Sequence, residues 1–327
     1  MPSTVRQLPA KSLRTALLAL SHQRFLGRIA TRLPVTRAMV QRFVAGETLG
    51  EALPVIERLR DAGFRTTVDV LGESVHAPSA ARAAAASYLE TLDALAERGL
   101  DRNVSLKLSQ MGQSIDPSLC RENLSAVLTR AAEREAFVRI DAEDHSTTDA
   151  AHALWRELRH LNAGRGDSGV VIQAALRRSG DDITALIRER GRVRLCKGAY
   201  HEPASVAWQE RPDVDAAYRW LMERLLLEGT FPAIATHDER IIRRVIEFAR
   251  REGIGPDRFE FQMLYGIRRD LQERLVRDGW GVRVYVPYGK DWYPYFMRRL
   301  AERPGNVTFL LRSILRERRG REPAETK

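Results

Sequence analysis

Two cysteines, Cys120 and Cys196, are all the sequence contains, and they sit in unrelated contexts. That excludes a disulfide framework and any cysteine-rich metal site. No second histidine stands at ligand spacing from His237, so no metal is expected. Apolar runs are short. None reaches the roughly 18 residues of a membrane span, and Ala16 to Leu20 is too brief and interrupted for a signal-peptide core. Cytoplasmic is therefore the default. No G-x-G-x-x-G follows the first strand-like run, which argues against a dinucleotide-type Rossmann site. Cys196, His201 and Ser205 make no recognisable nucleophile constellation. No linker is long enough to divide the chain.

What remains is an ordinary globular composition, 44% hydrophobic and 29% charged over 327 residues, enough for one large domain. A net charge of +10 raises the question of nucleic acid. The Lys and Arg residues, however, are scattered among nearly as many acids. Only Arg312 to Arg321 is densely basic. Residues 313–327 therefore read as a solvated basic tail, with an anionic membrane surface as the alternative partner.

Residues 1–45 read as a helical arm, with an apolar stripe at Leu13, Leu17, Leu18 and Leu20. Gly46-Glu47-Thr48 caps a helix carrying Ala52, Leu53, Ile56 and Leu59. After Gly63 the period changes. Short apolar or β-branched runs recur at 65–71, 104–108, 137–141, 169–173, 193–197, 233–237, 259–264 and 282–286, each followed by a helix-period segment. Alternating strands and helices imply parallel pairing, and eight such units imply a closed (β/α)₈ barrel of the TIM type over 46–312. An open doubly wound sheet is the alternative.

Catalytic groups of such barrels collect at the C-terminal strand ends. Lys107, Asp141, Gln173, Arg194, Lys197, Thr236, His237 and Tyr285 fall there. An outward-facing side chain explains any one of them as well; it does not explain all. Lys197-Gly198-Ala199 has the make-up of a phosphate-handling turn, and His237 alone would be an ordinary structural histidine. The stretch from Tyr285 to Glu302 ends a strand, turns at Pro287 and Gly289, and re-forms as a helix near Trp292. There Tyr295, Arg298, Arg299 and Glu302 share one face. Two guanidinium forks suit a small carboxylate; a solvated basic face is the plain alternative.

R-L-C-K-G-A-Y (194–200), A-T-H (235–237), F-Q-M-L-Y-G (261–266) and the run from V-Y-V-P-Y-G-K-D-W-Y-P-Y-F-M-R-R to A-E-R-P-G-N (284–306) resemble the proline dehydrogenase family. K-L-S (107–109), R-I-D-A-E-D (139–144) and V-I-Q-A (171–174) extend the match, which covers roughly 45–310 and looks closest to the single-domain bacterial enzymes. The resemblance implies a distorted barrel holding FAD, oxidation of L-proline to Δ1-pyrroline-5-carboxylate, and a membrane quinone as electron acceptor. It leaves no room for the aldehyde dehydrogenase module or the DNA-binding segment of bifunctional relatives. It implies that Arg298 and Arg299 hold the substrate carboxylate and that Glu302 restrains them. Lys107, Asp141, Leu264, Tyr285 and Tyr295 would line the proline pocket, with a Lys107–Asp141 ion pair beneath the substrate. Arg194 would stand beside the flavin N5, and the helix after Trp292 would act as a lid. Ala142, Gln173, Lys197, Gly198, Ala199, Thr236 and His237 would contact FAD. Tyr285 is the candidate for discrimination against hydroxyproline. Cys196 stands where an aliphatic residue is expected, and His201 where a bulkier apolar one is.

Two other readings compete. A barrel lyase or aldolase would use Lys107 or Lys197 as a Schiff-base amine. A nucleic-acid scaffold is motivated by charge alone. Peripheral membrane contact and oligomerisation, for which the arm is a candidate, stay open.

Overall fold

A computed structural model describes residues 40–72 and 75–302, with backbone alone for 298–302. The arm up to residue 39 and the basic tail lie outside the described residues. The strands are β1 (Arg65–Val70), β2 (Asn103–Leu106), β3 (Phe137–Ile140), β4 (Ser168–Gln173), β5 (Arg192–Cys196), β6 (Ala233–Ala235), β7 (Glu260–Leu264) and β8 (Val282–Tyr288). They close in sequence order into one parallel barrel. The open-sheet alternative is thereby excluded: β8 pairs back onto β1 from Arg65 opposite Arg283 to Val70 opposite Tyr288.

The helices are α1 (Leu49–Asp61), α2 (Pro78–Glu97), α3 (Leu108–Met111), α4 (Pro117–Glu133), α5 (Thr148–Leu158), α6 (Ser179–Arg188), α7 (Arg211–Glu228), α8 (Glu239–Arg251), α9 (Arg269–Arg277) and α10 (Trp292–Glu302). Thr48 caps α1 by accepting the Glu51 amide at 3.3 Å, as its sequence implies. On α8, Ile241, Ile242, Val245, Phe248 and Ala249 are buried, and the arginines occupy the opposite face. Much of the basic charge is therefore helix surface.

The main apolar core lies between the sheet and this ring of helices, where Val68, Val104, Leu106, Val138 and Ile140 meet Tyr88, Leu92 and Leu124. Side chains alternate along a strand, so the other face of every strand points into the barrel. That interior is strongly polar. Arg194 of β5 bonds Ser105 of β2 and Gln262 of β7, neither strand being its neighbour, so these bonds cross the barrel. Buried arginines are costly unless fully partnered. Arg139 donates to the carbonyls of Val170 and Arg192 and stacks 4.6 Å from the Phe137 ring.

Pro287 does not turn the chain. It lies inside β8 opposite Asp69, and its carbonyl accepts the Ala45 amide at 2.8 Å. A proline removes only a donor, and its extended φ still suits a strand near its end. The turn falls at Gly289, whose φ of +136° and whose closeness to Leu71 leave no room for a Cβ. Beyond it α10 leaves the ring. Trp292, Tyr295, Phe296 and Met297 pack on Val40, Phe43, Val44 and Leu71 in a second, separate cluster. Leu71 directly follows β1, so this cluster sits beside the C-terminal mouth.

Gly266 holds this cluster's floor. Its φ is +76°, and a Cβ there would come within 1.7 Å of the Arg42 carbonyl oxygen. Gly266→Ala is expected to cost about 2–3 kcal/mol from left-handed strain plus backbone displacement. A melting temperature within about 1 °C of the parent would contradict that close approach.

Candidate active site

The mouth is organised by Arg194, 6% exposed at the centre of β5. Its Nη1 donates to Asp141 Oδ1 at 2.6 Å, its Nη2 to Ser105 Oγ at 2.8 Å and its Nε to Gln262 Oε1. The guanidinium carbon lies 5.3 Å from the Tyr285 ring centroid, within cation–π range. The other Asp141 oxygen accepts the Tyr285 hydroxyl at 2.8 Å. Burial, and then the negative charges of Asp141 and Asp69, push the Tyr285 phenol well above its usual range, so it stays a neutral donor.

The expected Lys107–Asp141 ion pair is present, Nζ to Oδ2 at 3.8 Å, but Lys107 has closer partners, donating to Asp69 Oδ1 at 3.3 Å and to the Tyr285 hydroxyl at 3.4 Å. Asp141 is held more closely by Arg194 and Tyr285. Asp69, fully buried, escaped the sequence reading although its run on β1 was recognised. The signal was there: Asp69 is two residues from Thr67, which hydrogen-bonds Ser105 at 3.0 Å inside the barrel, so it shares that inward parity. Tyr88 of α2 was missed as well. Its hydroxyl lies 2.9 Å from the Ser105 carbonyl, 3.1 Å from Gln110 Oε1 and 3.4 Å from Asp69 Oδ1. Two cations thus face two carboxylates, which offsets their desolvation.

A second arc of polar groups follows at the ends of β3 to β6. Gln173 donates its amide to the Glu143 carbonyl at 2.8 Å, and Glu143 accepts the Ser109 amide at 3.0 Å. Ala142 is half-buried beside it, while Gly198 and Ala199 are exposed. Gly198, at φ +114°, could take a Cβ only 3.1 Å from the Ala175 methyl, so bare backbone is required. Lys197 Nζ bonds Asp215 and, at 3.3 Å, Asp238. Against the penalty of its burial, Arg240 and Lys197 hold the Asp238 carboxyl down to about 2. Thr236 Oγ1 accepts the Asp238 amide at 3.1 Å. His237 Nε2 accepts the Leu264 amide at 3.2 Å, tying β6 to β7 with an unprotonated Nε2. Leu264 itself ends β7 half-buried.

Tyr295 lies in the α10 cluster beside Leu71. Arg298, Arg299 and Glu302 follow on the same continuous helix, which keeps their common face, but their side chains lie outside the described residues. Lys107 and Lys197, the two amines a Schiff-base mechanism would use, both donate to carboxylates. The Cys196 thiol is pushed up to about 12 by burial, so it packs as a small apolar group.

The donor set fits a flavin dinucleotide. Bare backbone at Gly198, the Lys197 cation, the Gln173 amide and the Thr236–His237 pair form an arc suited to an anionic, hydrogen-bonding ligand, and Arg194 supplies a fixed cation at its inner end.

Comparison with known proteins agrees with this architecture. Residues 52–312 match the family described as "Proline dehydrogenase". "Proline dehydrogenase" of Deinococcus radiodurans is 41% identical over 281 residues, 85% of this chain and 90% of the relative. "Proline dehydrogenase 1" of Bacillus subtilis subsp. natto is 38% identical over 305 residues, 93% of this chain and 100% of the relative. Among solved structures, proline utilization A (PutA) of Bdellovibrio bacteriovorus, inactivated by N-propargylglycine, superposes with a TM-score of 0.75 at 27% identity. That likeness covers 81% of this chain and 32% of the longer protein. By the extent of the family match and by these identities, the chain belongs to the proline dehydrogenase family.

Proposed function

We propose that the chain oxidises L-proline to Δ1-pyrroline-5-carboxylate with FAD as the hydride acceptor, a membrane quinone taking the electrons onward. The observation that carries this reading is the buried Arg194–Asp141 pair at the barrel mouth, 2.6 Å apart, in a chain of this family. FAD, when bound, supplies the two-electron acceptor. The residues proposed to hold it are Ala142, Gln173, Lys197, Gly198, Ala199, Thr236 and His237.

Everything else falls to the protein's own groups. Oxidation at the ring carbon beside nitrogen would leave positive charge on the substrate, which the Asp141 carboxylate is suited to offset, while Arg194 would offer the bound flavin a fixed cation; the two groups are held together at 2.6 Å. Tyr285 keeps its proton on Oη and hydrogen-bonds through it to Asp141 Oδ2 at 2.8 Å. Lys107, Leu264 and Tyr295 complete the pocket walls, and Tyr285 is proposed to discriminate against hydroxyproline. Arg298 and Arg299 hold the carboxylate and Glu302 restrains them, while α10 excludes water as a lid. Among the described residues no helix is long and apolar enough to cross a membrane, so contact with the quinone pool is proposed to be peripheral.

Anaerobic addition of L-proline to the flavin-loaded protein is the direct test: the flavin absorbance should bleach. A flavin that stays oxidised under excess proline would overturn the reading. Arg299→Met should raise the proline KM by an amount equivalent to ~2–5 kcal/mol of lost carboxylate binding, with flavin content unchanged. Loss of FAD in that variant would show that Arg299 serves the cofactor instead.

A further inference from the structure

Below Arg194 a line of buried polar groups runs down the barrel axis, and the chemistry at the mouth does not call for it. Gln262 Nε2 donates to Glu260 Oε1 at 2.6 Å, and Arg283 Nε donates to the same oxygen at 2.7 Å. Arg283 Nη1 reaches the Thr66 carbonyl at 2.6 Å and Asp101 Oδ2 at 2.5 Å. Arg65 Nη1 lies 3.4 Å from the other Glu260 oxygen. Glu260, Gln262 and Arg283 are each no more than 5% exposed.

We infer that Glu260, acting through the Gln262 amide, is a positioning residue for Arg194, fixing which way its guanidinium fork faces. The inference rests on the role proposed for Arg194. A primary amide has a donor end and an acceptor end and could sit either way round. An ionised carboxylate only accepts, and a guanidinium only donates. Placed between them, Gln262 has a single orientation: NH₂ towards Glu260, oxygen towards Arg194 Nε. Arg283 keeps Glu260 ionised. Against burial, its charge and hydrogen bond, with the Gln262 amide and the Arg65 charge, hold that carboxyl down to about 2, so Glu260 is not a competing donor at working pH. With Nε so fixed, the planar fork can point Nη1 and Nη2 only at Asp141 and Ser105. An ion pair serving stability alone would be complete at Glu260–Arg283. Gln262 carries its direction one layer up to the site.

Gln262→Leu fills similar volume and removes the relay. It should lower kcat by about 10–100-fold, with the proline KM changed by less than roughly 3-fold and flavin content retained. The flavin midpoint potential, read by dye equilibration without proline, should move negative as the cation loses its fixed place. Introduced on top of Arg194→Met, the same substitution should change kcat by less than roughly 2-fold, because the group it positions is already gone. Glu260→Gln should act in the same direction and more weakly. Should that variant fail to fold, the Gln262→Leu arm decides alone. Parental kcat and potential in Gln262→Leu would overturn the inference, as would an equal loss of kcat in both backgrounds, which marks a purely structural role. If wild-type flavin does not bleach with proline, the proposed function fails instead, and the midpoint potential still reports whether Gln262 orients Arg194.

Discussion

Replacing Arg194 by methionine is expected to lower kcat for proline oxidation by about 10²–10³-fold, the usual cost of removing a preorganised charge-stabilising donor. The side chain is 6% exposed, and three donor groups are spent on three fixed acceptors. Its charge therefore acts where water cannot screen it. Methionine has comparable length and tolerates the cavity, so the barrel should still form. Asp141 keeps the Tyr285 hydroxyl at 2.8 Å and Lys107 at 3.8 Å, so its carboxylate is not abandoned. Arg194→Lys should recover only part of the rate, because an ammonium supplies charge without a planar fork. Steady-state kinetics with an artificial electron acceptor, normalised to bound flavin, makes the measurement. A methionine variant within about tenfold of the parent would remove Arg194 from the chemistry.

The largest expected loss of stability follows Arg283→Met. Arg283 and Glu260 are 6% and 3% exposed at the side chain and 2.7 Å apart. Breaking a buried pair from one side typically costs about 3–5 kcal/mol; Glu260 would keep only the Gln262 amide at 2.6 Å and the half-exposed Arg65 at 3.4 Å, away from water. Urea unfolding at neutral pH measures it, and an unchanged midpoint would contradict it. The pH dependence has a definite sign. Burial disfavours the Glu260 carboxylate, but Arg283, with the Gln262 amide and Arg65, outweighs it and lowers the folded value from 4.5 to about 2. A depressed carboxyl contributes stability above its unfolded value and loses it as pH falls through the folded one. The parent should therefore lose that contribution, roughly 3 kcal/mol, between about pH 4.5 and pH 2. Without Arg283, only the Gln262 amide and Arg65 oppose burial, so the Glu260 value rises above its parental one and the variant loses less on acidification. The stability gap between the two should narrow on acidification. A gap that stays constant would place the linkage elsewhere.

The strands were legible because each carries β-branched residues at period two between helical stretches, and eight such units leave little choice of topology. Lys107, Asp141, Arg194 and Tyr285 were legible from their strand-end positions. Asp69 as the nearer partner of Lys107, and the Glu260–Gln262 relay, were not. Asp69 lies on β1 beside β2, and Glu260 and Gln262 stand two residues apart on β7; which partner each side chain takes depends on strand register and rotamer, which no local pattern encodes. Pro287 misled because its usual meaning, a turn, was overridden by the ladder between β1 and β8. The docking of α10 on Val40, Phe43 and Leu71 joins residues more than 200 positions apart, and neither periodicity nor capping announces it.

The pairing of β1 with β8 also has a consequence for the protein's birth. Arg283 bonds the Thr66 carbonyl across 217 positions of sequence, so the cylinder cannot shut until nearly the whole chain has left the ribosome. At roughly 5–20 residues per second that is about 10–40 s after β1 emerges. Throughout that wait the charged lining is hydrated and the growing sheet carries two open edges. Solvated arginines on one face then work against premature collapse, and the yield of native protein is decided by how the last strand finds the first.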